Sequence, residues 1–257
     1  MERMIFHMSN FSVSVGYVSR KDGRSPAKAV GYIFRQKMQD NYYGLTYDYR
    51  KKDVQHTEII LTPTAPLEFR NPQIFVDSVD AAEKRCDART LRTIRAALPN
   101  ELPLDEHIEM VREYLDDNFV SQGMCAAVAI HEGKNADPSK NNPHVHILLT
   151  TREATHDGFS PKKNREWDRR ANVTLWRKQW AAIQNRAYER AGLKERVSHE
   201  SYAIQGIGKK PRKYLNRLDY GLERRGINTE CGDKNRLIEA SNKKYEMKRQ
   251  NNRGRSR

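Results

Sequence analysis

The sequence predicts an α+β protein: a central antiparallel sheet flanked by helices, followed by a basic, helical C-terminal extension. Three observations carry this. Period-two runs alternate with amphipathic stretches that open on cap-plus-proline signals. The two kinds interleave without a regular βαβ rhythm, an internal repeat or a glycine-rich phosphate loop. The charge is also lopsided. Residues 204–257 hold 16 Lys or Arg against six acids, so they carry +10 of the net +14 of a 257-residue chain.

Residues 11–18 (FSVSVGYV) alternate polar and apolar, as a half-buried strand does. Ser25 and Pro26 supply an N-cap and an N1 proline for a helix running to about residue 38. A second strand follows at 54–61 (VQHTEIIL), and Asn71-Pro72 repeats the helix-opening signal ahead of an amphipathic helix to about residue 84. Residues 90–98 read as a strand, although their period does not separate strand from helix. An acidic amphipathic helix at 104–120 precedes strands at 124–131 and 144–151, joined by a loop at 132–143 full of Gly, Asn, Asp and Pro. Asn172 is the expected cap of a long helix ending near Gly192, with Trp176, Trp180, Ile183 and Ala187 as its core-facing stripe. The expected organisation is a domain at 1–203, a basic helical extension at 204–242 and a basic tail at 243–257. That tail is nearly devoid of apolar side chains and reads as a frayed helix end or flexible segment, serving either solubility or polyanion binding.

Composition excludes several classes. The chain is 37% hydrophobic and 31% charged, and no apolar run approaches the roughly 18–20 residues of a membrane span. Residues 1–15 lack the apolar centre of a secretion signal. Cys86, Cys125 and Cys231 are odd in number and never paired as Cys-x-x-Cys, so no disulfide framework or thiolate zinc site is expected, and a reducing cytoplasm is the default setting. The positive charge points to a polyanionic partner.

The chemistry gathers around histidine. In NPHVHILLT, His144 and His146 project from one face of a strand with Cβ atoms about 6.5–7 Å apart, which lets two nitrogens reach one cation at about 2.0–2.2 Å. His131 ends the preceding strand, and a hairpin brings it beside the pair. Three imidazoles leave coordination positions open for water or a phosphate oxygen, as a catalytic rather than a closed structural site does. His7, His56, His107, His156 and His199 lack such spacing. Glu58 shares a strand face with His56, where it could orient a ligand histidine, act as general base, or simply be a solvated edge residue. Tyr32 lies mid-helix with Arg24, Lys28 and Arg35 one or two turns away, and nearby cations make a phenol easier to ionise. Those three are also candidate phosphate contacts, as are Lys209, Lys210, Arg212 and Lys213 in the extension. Tyr42, Tyr43, Tyr47 and Tyr49 follow closely, and spacing alone does not choose the nucleophile among them.

The segments GRSPAKAVGYIFR, YDYRKKDVQHTEIILTP, RAALPNEL, VAIHEGK, NPHVHILLTTR and REWDRRANVTLWRKQWAAIQNRAYERAG, with KPRKYL and ERRGINTECGDKNR downstream, occur together in order. In these the chain resembles the MobA/MobL family of plasmid mobilisation relaxases, within the HUH endonuclease superfamily. The resemblance implies an HUH relaxase catalytic domain at 1–203 that cuts one DNA strand at an origin of transfer. It implies Tyr32 as nucleophile, His131, His144 and His146 as metal ligands, and Glu58 as an acid near the active site. It also implies manganese or magnesium, whereas three imidazoles suit zinc, nickel or copper better; the shared expectation is a divalent cation. Single-stranded DNA is the implied partner, with relaxosome accessory proteins and a secretion coupling protein beyond it, and no membrane insertion. Gly31 departs from the family's usual alanine before the tyrosine, and Ile33-Phe34-Arg35 from its usual Arg-Ser after it. Competing readings are a rolling-circle initiator or single-stranded DNA transposase of the same superfamily, a non-catalytic nucleic-acid-binding protein with a structural metal, and a hydrolase using metal-bound water. The first two generally place the tyrosine after the histidine pair, the reverse of the order here.

Overall fold

The computed structural model describes residues 11–134 and 141–254. His7, the middle of the 132–143 loop and the last three residues of the expected tail lie outside the described residues. The chain divides into two compact units, one ending at His199 and one beginning at Glu200.

In the first unit the elements run β1 (Val13–Ser19), α1 (Pro26–Phe34), β2 (Lys37–Asp40), β3 (Leu45–Asp48), β4 (Val54–Ile60), α2 (Pro72–Ala82), β5 (Arg89–Ala97), α3 (Leu104–Asn118), β6 (Ala126–His131), β7 (His144–Thr150), β8 (Ala154–Thr155), β9 (Gly158–Phe159) and α4 (Arg170–Arg190). The main sheet has the order β1-β5-β7-β6-β4, every neighbouring pair antiparallel. Helices cover both faces. On one, Ile94, Val128, Val145 and Ile147 pack with α3 and α4 through Tyr114, Phe119, Trp176 and Trp180. On the other, Leu91, Ala127, Ala129 and Leu148 pack with α1 and α2 through Val30, Phe34, Phe75 and Val76. Burial on both faces explains the ambiguous period of β5, since a doubly covered strand loses its polar alternation.

The helix expected to reach residue 38 ends at Phe34. Arg35 closes it in the left-handed region at φ 56°, and the β2–β3 hairpin, turned at Gly44 (φ 65°), takes up the following residues. The short β8–β9 hairpin likewise had no period long enough to read. Asn172 is not the cap of α4. Arg169 occupies that position, and the Asn172 side chain donates to the Glu166 carbonyl at 2.8 Å.

The second unit holds α5 (Arg217–Arg224) and α6 (Glu230–Gly254). Residues 204–216, expected within a helical extension, form turns and irregular chain. The stretch from Lys243, expected as a tail, is the second half of α6 as far as Gly254, because Lys, Glu, Met and Gln are good helix formers even without an apolar face. A polar stripe secures it. Asn235 and Asn242 each exchange two hydrogen bonds with the backbone of Lys213 and Lys210 (2.7–3.0 Å). Glu239 pairs with Arg212 at 2.9 Å, and Glu246 pairs with Lys209. Among the described residues no helix is long and apolar enough to cross a membrane.

Trp180 is fully buried, meets Tyr114 edge-on at 5.0 Å and donates its indole N–H to the Ala97 carbonyl at 3.2 Å. Trp180→Ala is expected to cost about 3–5 kcal/mol, read as a lowered denaturation midpoint at unchanged slope in urea titration.

Candidate metal centre and nucleophile

The site begins with strand register. His131 stands opposite His144 in the β6–β7 ladder, and Ala129 opposite His146. Opposed residues share a face and alternate residues return to it, so all three imidazoles project towards α1. Ring centroids lie 4.9 to 5.5 Å apart, and one ligand nitrogen from each falls within 4.8 Å of the others. Backbone carbonyls orient two of the rings. His144 Nδ1 lies 2.7 Å from the Asn142 oxygen and His131 Nε2 lies 2.8 Å from the Ile33 oxygen. A carbonyl only accepts, so these nitrogens carry the protons, which leaves His144 Nε2 open to a cation and His131 Nδ1 as an acceptor 3.4 Å from the Arg35 guanidinium. Burial, then the neighbouring His144 and His131, push His146 down to about 3. Burial also lowers His131 and His144. Burial thus favours the neutral form that ligation requires in all three.

Helix α1 brings the tyrosine. Ser25 Oγ accepts from the Lys28 amide at 3.1 Å and Pro26 occupies the first turn. Ala27, Val30, Ile33 and Phe34 bury one side, which leaves Tyr32 on the open flank with 47% of its surface exposed. Its ring stands edge-on to His146 at 6.4 Å and to Tyr49 at 5.6 Å. Gly31 has a local reason: a Cβ there would sit 2.8 Å from Met38 Cγ of β2. Of the tyrosines left open by spacing, Tyr32 is the one whose ring meets the triad among the described residues. Burial raises Tyr43 and Tyr47 above the usual phenol value, which disfavours their anions.

Arg24 and Lys28 line, with Tyr32, Tyr49, Arg95 and His146, an open cleft of about 570 Å³. Arg35 plays a different part from the free phosphate contact expected of it. Its guanidinium grips Asp53 with two bonds of 2.6 and 3.1 Å, lies 4.5 Å from the Tyr32 ring centroid, donates to the Tyr32 carbonyl at 2.7 Å and stands 3.4 Å from His131 Nδ1. Asp53 thus neutralises a cation at the edge of the metal site, and Arg35 in turn holds its carboxyl below the usual range. Sequence reasoning missed both Asp53 and Arg95. Arg95 is legible only from register, which sets it opposite His146.

Glu58 is not with them. It stands opposite Val128, on the α3 side of the sheet, and accepts two bonds from Arg112 at 3.0 and 3.1 Å and one contact from His56 at 3.2 Å. Burial would raise its pKa, but the bonds from Arg112 and His56 outweigh it and hold the carboxyl below its usual value. The sheet separates Glu58 from Tyr32, so the expected catalytic role has no geometric support. Of the extension's basic residues, Lys209 and Arg212 are bound to acids, whereas Lys210 and Lys213 are held through their backbones.

Fold and site together define a class: an α+β protein with three histidines, placed so that they could hold a cation, on one sheet face and an exposed tyrosine beside them. The chain belongs to the MobA/MobL family, whose sequence profile matches residues 24–225. It is 30% identical over 247 residues to a probable conjugal transfer protein TraA of Sinorhizobium fredii, covering 84% of this chain and 22% of that protein. It is also 30% identical to mobilization protein MobL of Acidithiobacillus ferridurans, over 85% of this chain and 65% of the relative. A solved structure described as the molecular basis of vancomycin resistance transfer in Staphylococcus aureus superposes with a TM-score of 0.68 at 26% identity, covering 75% of this chain and 99% of that one. The chain spans only 14–23% of the length of the first three curated relatives, all TraA proteins.

Because the triad's pKa values lie below 6.5, affinity for Mn²⁺ is expected to be flat from pH 8 to about 6.5 and to fall in more acidic solution as the imidazoles protonate. Asp53→Asn leaves the Arg35 charge uncompensated beside the site and is expected to weaken Mn²⁺ binding about tenfold. Calorimetric titration checks both.

Proposed function

We propose that this chain is the relaxase part of a plasmid mobilisation protein, nicking one DNA strand at an origin of transfer. The observation that carries the reading is Tyr32 standing edge-on to His146, within a cluster whose three histidines each offer a nitrogen within 4.8 Å of the others. Relatives named for conjugal transfer and mobilization support it. His131, His144 and His146 would hold a divalent cation, manganese or magnesium by resemblance. When bound, the cation supplies positive charge to a scissile phosphate.

Tyr32 Oη attacks the phosphorus of one phosphodiester; the P–Oη bond forms and the P–O3′ bond breaks. The phenol gives up its proton and the departing 3′ oxygen gains one, leaving a 5′-phosphotyrosine and a free 3′-hydroxyl. One phosphoester replaces another, so attack by a 3′-hydroxyl reseals the strand without an energy source. Arg24, Lys28 and Arg95 line the cleft where the strand's phosphates would lie, while Lys210 and Lys213 add attraction from the extension. Accessory relaxosome proteins and a secretion coupling protein complete the proposed setting, in the cytoplasm.

Single-stranded oligonucleotides spanning the cognate origin, incubated with Mn²⁺ or Mg²⁺, are expected to give a protein–DNA adduct on a denaturing gel. Tyr32→Phe, His146→Ala and chelation should each reduce it to background. A wild-type protein that forms no adduct sinks the tyrosine mechanism in favour of hydrolysis or plain binding. An adduct surviving in Tyr32→Phe transfers the role to Tyr49.

A further inference from the structure

A second basic cleft, of about 890 Å³, opens at the other end of the same sheet, where β7 ends at Thr150 and β5 begins at Arg89. It is built from the C-terminal end of α2, Arg89, and the segment following β7 through residue 168. Every acid at its wall is already neutralised. Glu83 is buried and bound by Arg152 and Lys163, each at 2.9 Å. Asp168 takes Arg92 at 2.6 Å, and Asp87 takes Arg85 at 2.8 Å. Lys84, Arg89 and Lys162 are exposed and make no ion pair among the described residues. The Arg89 guanidinium rests on the Tyr17 ring at 4.5 Å, an arrangement that fixes its plane and leaves its N–H edge free. Three uncompensated cations around a concavity whose own carboxylates are satisfied make a site for a polyanion.

The distance to the metal centre indicates which polyanion. From Thr150 to His144 is six residues of one strand, about 20 Å at the strand rise. That corresponds to about six nucleotides of stacked DNA at roughly 3.4 Å each. We propose that this cleft binds the sugar–phosphate backbone of the same DNA molecule, about six nucleotides from the nicking site. For the identity of its occupant the proposal rests on the nicking function above.

The test measures binding by fluorescence anisotropy across a KCl series, with a labelled mixed-sequence single-stranded 30-mer in one arm and a 20-bp duplex in the other. For the triple variant Lys84→Ala/Arg89→Ala/Lys162→Ala, the slope of log K against log salt is expected to flatten by about two in the arm the cleft serves. A control triple, Arg177→Ala/Lys178→Ala/Lys194→Ala, removes equal charge from exposed positions elsewhere and should leave the slope near wild type. Lys162→Gln alone, expected to flatten it by about 0.7–0.9, keeps the test decisive should the triple variant fold poorly. Flattening in the single-strand arm assigns the cleft to unpaired DNA and flattening in the duplex arm to a paired stem. Unchanged slopes in both arms, or equal flattening in the control, overturn the proposal. Adduct formation by the wild-type protein reports separately on nicking, so the two readings fail independently.

Discussion

The hairpin register that sets His131 opposite His144 is the constraint on which the rest of the site depends. A slip of one residue in β7 would turn His144 and His146 into the packed face beneath Trp180 and leave His131 alone. The ladder brings the three imidazoles together, and the Asn142 carbonyl next to it orients the His144 ring. The core fixes the register in turn. Val145 and Ile147 fill the α3–α4 face, so the two histidines between and before them must take the other. The geometry of the histidine cluster is therefore a by-product of hydrophobic burial on the opposite side of the sheet.

That histidine cluster sits beside an arginine, which would repel a cation held there. Asp53 resolves the conflict by taking two of the guanidinium's donors. Arg35 can then tie three things at once: the backbone of Tyr32, the Tyr32 ring and the edge of His131. Its left-handed backbone is a strained conformation for a residue with a side chain, and it is the one such non-glycine residue among those described. The strain ends α1 two residues after the Tyr32 ring and aims the guanidinium back along the helix. The tyrosine is thereby fixed relative to the triad by a polar clamp, while its own flank remains exposed.

Much of this was legible in the sequence for simple reasons. The His-x-His pair, the preceding His131 and the Ser25-Pro26 start of α1 are local signals with fixed periods, and the family resemblance ranked Tyr32 above its neighbours. What failed depended on the third dimension. Glu58 and His131 lie on adjacent strands, yet a bulge at Val54–His56 places Glu58 on the far face. No residue type announces such a bulge. Asp53 and Arg95 carry charge next to the site, but in the sequence they are two charged residues among many. The β2–β3 hairpin was hidden because four-residue strands give too few alternations to count.

Charge shows the same difference between composition and placement. The +10 of residues 204–257 suggested a segment given over to binding polyanions. In the folded extension, Asn235, Glu239, Asn242 and Glu246 recur at helical spacing along one stripe of α6 and meet the 209–213 segment. Two of that segment's four cations are consumed by the acids, and the asparagines pin the backbone of the other two. The stripe gives a helix without an apolar face a reason to fold, and it holds Lys210 and Lys213 at a fixed spacing with their ammonium groups unspent. Net charge measures what a segment contains; its attraction for a polyanion depends on which charges the fold leaves uncompensated. By that measure a mildly basic first unit with Lys84, Arg89 and Lys162 around one cleft can rival an extension of far greater formal charge.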